Sequence, residues 1–154
     1  MERVFFLFIA SFSLIQVSFG QSAFNALDWL EGQWHIKGDS TSTYFSCNKG
    51  RDNIISVQYG PGSVNEELKM LRSFIFSDFE GRIFMNLIVK GQSQPVPFIE
   101  IERVDNLWRF STYENPKINE VAFYRKNDRQ FDLMIVGKDN TSTITLVKKP
   151  VDEP

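Results

Sequence analysis

The sequence predicts an all-β chain, an antiparallel up-and-down β-barrel of about ten strands preceded by one short N-terminal helix. Three observations predict it. From Gln33 onward, short stretches rich in Val, Ile, Phe, Tyr and Thr recur about every twelve residues, the rhythm of half-buried strands. The residues between them are turn formers, among them Gly38-Asp39, Asn48-Lys-Gly50, Gly60-Pro-Gly62, Asp78-Phe-Glu-Gly81, Asp105-Asn106 and Lys138-Asp139-Asn140, which supply left-handed or side-chain-braced corners. The connections are short, which joins sequential strands as hairpins, and none is long enough for a Greek-key return. Closing such a meander into a barrel removes its exposed edges.

Residues 1–20 read as a cleaved export signal. Met1-Glu2-Arg3 is a charged start, Val4 to Ile15 is twelve residues without a charge, and Ser18 and Gly20 are the small residues of a cleavage site. That order is the pattern of a secretory leader. The apolar run would span about 18 Å as a helix, short of the roughly 30 Å hydrocarbon core, so no membrane span is expected once it is removed. Cleavage after Gly20 leaves 134 of 154 residues, enough for one core without covalent staples. The division is therefore a leader (1–20), one barrel domain (21–149) and a frayed tail (150–154), with the product in the periplasm or secreted.

The helix is expected over 22–32. Phe24, Leu27 and Leu30 form one apolar stripe, Ser22 or Asn25 can cap the first N–H groups, and Gly32 can take the left-handed terminal position. Two turns are marginal alone in water, so this helix must dock on the barrel. Strands follow over 33–38, 41–48, 53–60, 67–77, 82–90, 96–103, 107–114, 119–126, 130–137 and 141–148. Alternation places Trp34 and Ile36 on one face and His35 on the other. It also groups Ile55, Val57 and Tyr59; Trp108, Phe110 and Thr112; Val121, Phe123 and Arg125; Phe131, Leu133 and Ile135; and Ile144 and Leu146. In 67–77 two faces compete, Met70, Arg72, Phe74 and Phe76 against Leu71, Ser73 and Ile75. The 82–90 strand is apolar on both faces and calls for cover from the helix or a neighbour.

Composition removes several functions. With 17 Lys and Arg against 19 Asp and Glu, the chain carries no basic footprint for nucleic acid. One cysteine cannot form an internal disulfide, and one cysteine with one histidine cannot build a Cys/His zinc site. No metal or cofactor is expected. Cys47 reads as a small buried or half-buried hydrophobe.

Several segments together carry a resemblance. Gly32-Gln33-Trp34, opening the first strand after a short helix, resembles the Gly-x-Trp signature of lipocalins and other calycins, in which the tryptophan packs across the closed base of the barrel. The wider set is similar to an uncharacterised family of exported lipocalin-like domains. It comprises Leu27-Asp-Trp-Leu-Glu-Gly-Gln-Trp34, Gly91-Gln-Ser-Gln-Pro-Val-Pro-Phe98, Tyr113-Glu-Asn-Pro116, and a strand pair ending in Tyr124-Arg125 and Gly137. One departure follows Pro116, where the family has an Asp-Phe-Pro-type turn and this chain has Lys117-Ile-Asn-Glu-Val121. The resemblance implies a fold; the family brings no activity with it.

The candidate chemistry is sparse. Any catalytic triad or haem ligation would pass through His35, which alternation sends to the outer surface. Glu100 and Glu102 are two apart on one strand, near a glycosidase carboxylate spacing, but they also read as a solvated face backed by Ile99 and Ile101. Arg72 and Arg125 alternate in register with phenylalanines, so each would need an acceptor if that face is interior. In lipocalin-like folds an arginine can cap the first-strand tryptophan by a cation–π contact, the role expected of Arg125. Either arginine could instead anchor a ligand, with Tyr44, Tyr59, Trp108 and Phe110 lining its cavity. Asn140-Thr141-Ser142 has the form of a glycosylation acceptor. The expected function is non-catalytic binding of a small apolar or amphipathic molecule. The alternatives are a solid barrel working through its surface and, behind both, a carboxylate hydrolase built on Glu100 and Glu102.

Overall fold

A computed structural model of the chain describes the backbone of residues 23–39, 42–50, 55–63, 72–115 and 117–150, and the side chains of 25–39, 44–50, 72–115 and 117–150. The leader, the 67–71 part of the fourth expected strand, the side chains of Phe24, Ile55, Val57 and Tyr59, and most of the tail lie outside the described residues.

The fold is all-β and antiparallel. Its strands are β1 (Gly32–Ile36), β2 (Ser42–Lys49), β3 (Ile55–Ser63), β4 (Arg72–Phe79), β5 (Arg82–Val89), β6 (Val96–Val104), β7 (Leu107–Ser111), β8 (Glu120–Asn127), β9 (Gln130–Val136) and β10 (Thr141–Lys148). Each pairs with its neighbour in sequence, and β1 pairs with β10 as well as β2, so the sheet returns on itself as a barrel. The up-and-down, barrel-like order is the one that short hairpin connections dictate.

The helix, Ala23–Leu30, is a 3₁₀ helix. The three-residue spacing of its apolar stripe suits that geometry, because side chains at i and i+3 eclipse at three residues per turn. Leu27 and Leu30 are wholly buried. Gly32 turns the chain from helix into β1 at φ +118°, and a Cβ there would come within 3.0 Å of Lys148 Cε.

Strand boundaries depart from the sequence reading in two instructive places. Gly60-Pro61-Gly62 is not a turn; β3 runs through it to Ser63. Thr43 pairs with Gly62 and Phe45 with Tyr59, so Gly60 and Pro61 together face Tyr44 as a bulge. On its other side the described β3–β4 pairing runs from Ile55 to Tyr59. A proline is tolerated where a strand bulges. The seventh strand stops at Ser111 rather than continuing to 114, because Thr112 begins a loop braced by its own side chains.

The interior is phenylalanine. Phe45, Phe74, Phe76, Phe98, Phe110, Phe123 and Phe131 are all essentially inaccessible to water. Phe123 sits among them, with ring centroids 5.7 Å from Phe76, 5.9 Å from Phe74, 6.1 Å from Phe110 and 6.3 Å from Phe131. Most of these contacts are edge-to-face, the arrangement favoured by the ring quadrupole. The competition in β4 is thus resolved with Phe74 and Phe76 inward. In β5, Ile83, Met85 and Leu87 face the core.

Up to the bulge between Glu100 and Glu102 the β6 faces are the reverse of the sequence reading. Ile99 and Ile101 are half exposed on the outer wall, whereas Glu100 shares the inner parity of the buried Phe98 and its side chain is only 8% exposed. Phe98, the largest apolar residue of the strand, outweighs the two isoleucines. Glu100 is accommodated because it lies near the barrel end, where its Oε2 accepts the Ile83 N–H at 2.9 Å and Arg103 approaches its Oε1 to 3.0 Å.

Candidate functional site

The two ends of the barrel differ in chemistry. At the base, the helix and the start of β1 insert two tryptophans beneath the phenylalanine core. Trp34 is fully buried; its indole Nε1–H donates to the Leu30 carbonyl at 2.8 Å, and its ring meets Phe131 edge-on at 4.8 Å. Trp29 lies against Trp34 at 6.3 Å and against Trp108 at 5.4 Å. The cation over Trp34 is Lys148, with Nζ 5.2 Å from the ring centroid. Arg125, expected in that role, stands instead 5.7 Å over Trp29 and pairs with Asp128. The end of β10 runs beside β1, so Lys148 pairs directly with Trp34 in register; β8 ends further round the barrel, and its arginine meets the helix tryptophan.

At the mouth, a cleft of about 340 Å³ opens between the start of β4, the end of β5, the start of β6 and the loop after β7. Val89, Val96 and Ile118 supply its apolar wall, and Arg72, Gln92, Glu114, Asn115 and Lys117 its polar side. Arg72 has the inward parity of Phe74 and Phe76 but is the first residue of β4, so its guanidinium sits half-buried at the opening rather than in the core. The loop is held from within. Asn115 Oδ1 accepts the Lys117 N–H at 2.8 Å and the Ile118 N–H at 3.1 Å, and Thr112 Oγ1 accepts the Glu114 N–H at 3.2 Å. Gly137 supports it from below, since a Cβ at that position would lie 2.7 Å from the Lys117 carbonyl oxygen and 2.7 Å from Asn140 Oδ1.

The sequence-selected residues therefore scatter. Arg72 lines the mouth. Arg125 and Trp108 line a second cleft at the base. Phe110 packs inside the core between Phe76 and Phe123. Tyr44 is half-buried opposite the β3 bulge, on the strand face opposite Phe45. Tyr59 pairs with Phe45 and Arg72 through its backbone, and its side chain lies outside the described residues. Sequence reasoning missed Gln92, Glu114, Asn115 and Lys117 as lining residues. The signal that could have found them was positional. Gly91–Phe98 and Tyr113–Pro116 follow strands that run in the same direction, so their turns lie at one end of the barrel.

The remaining candidates lie apart from these clefts or from one another. Glu102 pairs with Arg109 at 2.6 Å on the outer wall while Glu100 is turned inward, separated from it by a bulge. Each carboxylate pairs with an arginine, Glu100 with Arg103 and Glu102 with Arg109. His35 is half-covered on the face opposite Trp34. Cys47 is buried, and desolvation, reinforced by Glu31, pushes its thiol up to about 12, the signature of an inert cysteine. Among the described residues no cluster of three metal-ligating side chains occurs, and no helix is long and apolar enough to cross a membrane. No family model, curated protein or solved structure matches the chain.

Proposed function

We propose that the chain is an exported, calycin-like binding barrel of ten strands that takes a small amphipathic anion at its mouth and catalyses nothing. The carrying observation is the mouth cleft, where three apolar side chains face Arg72 and Lys117, with Glu114 the opposing charge among the described lining residues. That pairing of an apolar wall with a few placed polar groups is how small-molecule sites are built, and the volume falls at the low end of such sites. The head group would lie between Arg72 and Lys117 and the apolar part on Val89, Val96 and Ile118. Two further points support the reading. Gln92, Val96, Glu114 and Asn115, which belong to the segments that carry the resemblance to exported lipocalin-like domains, border this cleft. Gly32-Gln33-Trp34 stands at the opposite, closed end, and a secretory pattern precedes it.

The test is titration with decanoate and, in parallel, decanol, read by calorimetry and by thermal shift. Saturable decanoate binding is expected, weakened about tenfold in Arg72→Met, which keeps the stem and removes the charge. Decanol should bind more weakly than decanoate. One observation favours a second reading. The packed phenylalanine interior leaves no deep calyx beneath the cleft among the described residues, as a solid barrel acting through its surface would have it. Absence of binding by both probes would select that alternative.

A further inference from the structure

The described lining of the mouth cleft carries Arg72 and Lys117 against Glu114, a single net positive charge. Two of the three charges sit on a loop that is fixed at every turn. Its neck is closed where the Thr112 N–H donates to the Asn119 carbonyl at 3.0 Å, and the Asn119 N–H donates to the Val136 carbonyl at 2.8 Å. Within it, Thr112 Oγ1 accepts the Glu114 N–H, and Asn115 Oδ1 accepts those of Lys117 and Ile118. Across the cleft the Gln92 N–H donates to the Val89 carbonyl at 3.0 Å. Val89, Val96 and Ile118 pack against the core. Glu114 and Lys117 are both exposed, and neither enters an ion pair among the described residues. The loop thus holds a carboxylate beside two cations where neither the core nor an ion pair calls for one.

We propose that Glu114 sets the charge of the ligand: it selects an amphipathic monoanion, a carboxylate, over the dianion of a phosphate monoester. This rests on the reading of the mouth as an anion site and adds the class of anion. A carboxylate head group between Arg72 and Lys117, beside Glu114, makes the filled cleft neutral. A phosphate monoester carries close to two negative charges above neutral pH, so it leaves one of them unmatched. The cleft is half-buried against apolar side chains, and an unmatched charge drawn out of water there is costly. The apolar wall meets the tail of either molecule alike, so the head group alone decides between them. Without the Glu114 charge the balance reverses, because two cations then match a dianion.

Calorimetric titration at about pH 8 with decanoate and with decyl phosphate, which share one tail, provides the test. The parent is expected to bind decanoate more tightly, by about 2- to 5-fold. Glu114→Gln keeps the shape and removes the charge; it should move the affinity ratio toward decyl phosphate by about 2- to 5-fold. Glu114→Asp keeps the charge and should keep the parent's preference. The proposal is overturned if the parent binds decyl phosphate as tightly as decanoate, if Glu114→Gln leaves the ratio unchanged, or if Glu114→Asp shifts it as far as Glu114→Gln does. In each of those cases an anion still binds, so the reading of the mouth as a binding site stands. If neither molecule binds the parent, that reading falls and the role of Glu114 falls with it.

Discussion

The base and the mouth of this barrel handle polar groups in opposite ways. At the base, polar atoms are drawn into a packed layer: the Trp34 indole under the Leu30 carbonyl, the Glu100 carboxylate against the Ile83 N–H, and Lys148 over an aromatic face. At the mouth, the polar groups stay in the loops. Asn115 and Thr112 bond their own backbone, and Arg72 and Lys117 border an open cleft. The base is thus built for stability and the mouth is left adjustable, so equal truncations at the two ends should have very unequal effects.

The sharpest way to break that contrast is Trp34→Ala. It deletes a fully buried ring, its hydrogen bond to Leu30 and its contact with Phe131, and should cost about 3–5 kcal/mol by denaturant unfolding. Lys117→Ala at the mouth should stay within about 0.5 kcal/mol. Comparable losses at the two ends would mean that the mouth is as tightly packed as the base.

Next comes Glu100→Ala, which tests whether a carboxylate on the inner face can be part of the base. It leaves the Ile83 N–H without its acceptor and Arg103 without its partner, and about 1–3 kcal/mol of destabilisation is expected. An effect below about 0.5 kcal/mol would show that water replaces the carboxylate there. Gly137→Ala brings the comparison to the mouth. Its Cβ would press on the Lys117 carbonyl and Asn140, and overpacking of this kind costs about 1–3 kcal/mol. Because the loop must shift to relieve it, decanoate affinity should fall together with stability. A stable variant with unchanged affinity would show that the loop is not held from below.

How these ends differ was only partly legible in the residues. Period-two patterning gave the antiparallel barrel order and the inward sets Phe131 with Leu133 and Val121 with Phe123, because burial of one face is a property of a single strand. It also set Arg72 and Arg125 in register with phenylalanines, while leaving open which face of 67–77 turns inward. It could not say that each stands at a barrel end, where the inner face meets water, because that depends on where a strand stops relative to its neighbours. The same limit hid Glu100, whose inward position is tolerated only through the Ile83 N–H on an adjacent strand. It also misassigned the cation over Trp34, since the choice between Lys148 and Arg125 is made by the β1–β10 register. The mouth residues carried no pattern of their own; Gln92, Glu114 and Asn115 look like any turn until the hairpins bring them together.

Cys47 offers a pH test of the base. Its thiol rises from the ordinary 9.0 to about 12 in the fold, chiefly through desolvation. The folded state therefore holds the proton more tightly than the unfolded chain. The associated stability is complete below pH 9 and is lost as pH climbs from 9 toward 12. At pH 10 the parent should have lost about 1 kcal/mol relative to pH 8 beyond any loss in Cys47→Ala, which lacks the titrating group. Identical pH dependence in the two proteins would mean that the thiol reaches water.

A small effect should come from Arg109, on the outer wall between the two ends. Its guanidinium bonds Glu120 through Nε at 2.7 Å and Nη2 at 2.9 Å, and Glu102 through Nη1 at 2.6 Å. These bonds, to Glu120 first, raise its already high pKa further, so Arg109 stays charged at any pH at which the protein folds. The network ties β6, β7 and β8 together across their outer faces, but the arginine is 37% exposed. Solvent screening therefore limits each pair to about 0.2–1 kcal/mol. Arg109→Lys cannot reproduce the two-bond grip on Glu120. It should lower stability by less than about 1 kcal/mol, with the difference shrinking in 1 M salt. A loss as large as that of Glu100→Ala, and insensitive to salt, would place the strength of the wall in its outer charges instead of its phenylalanine interior.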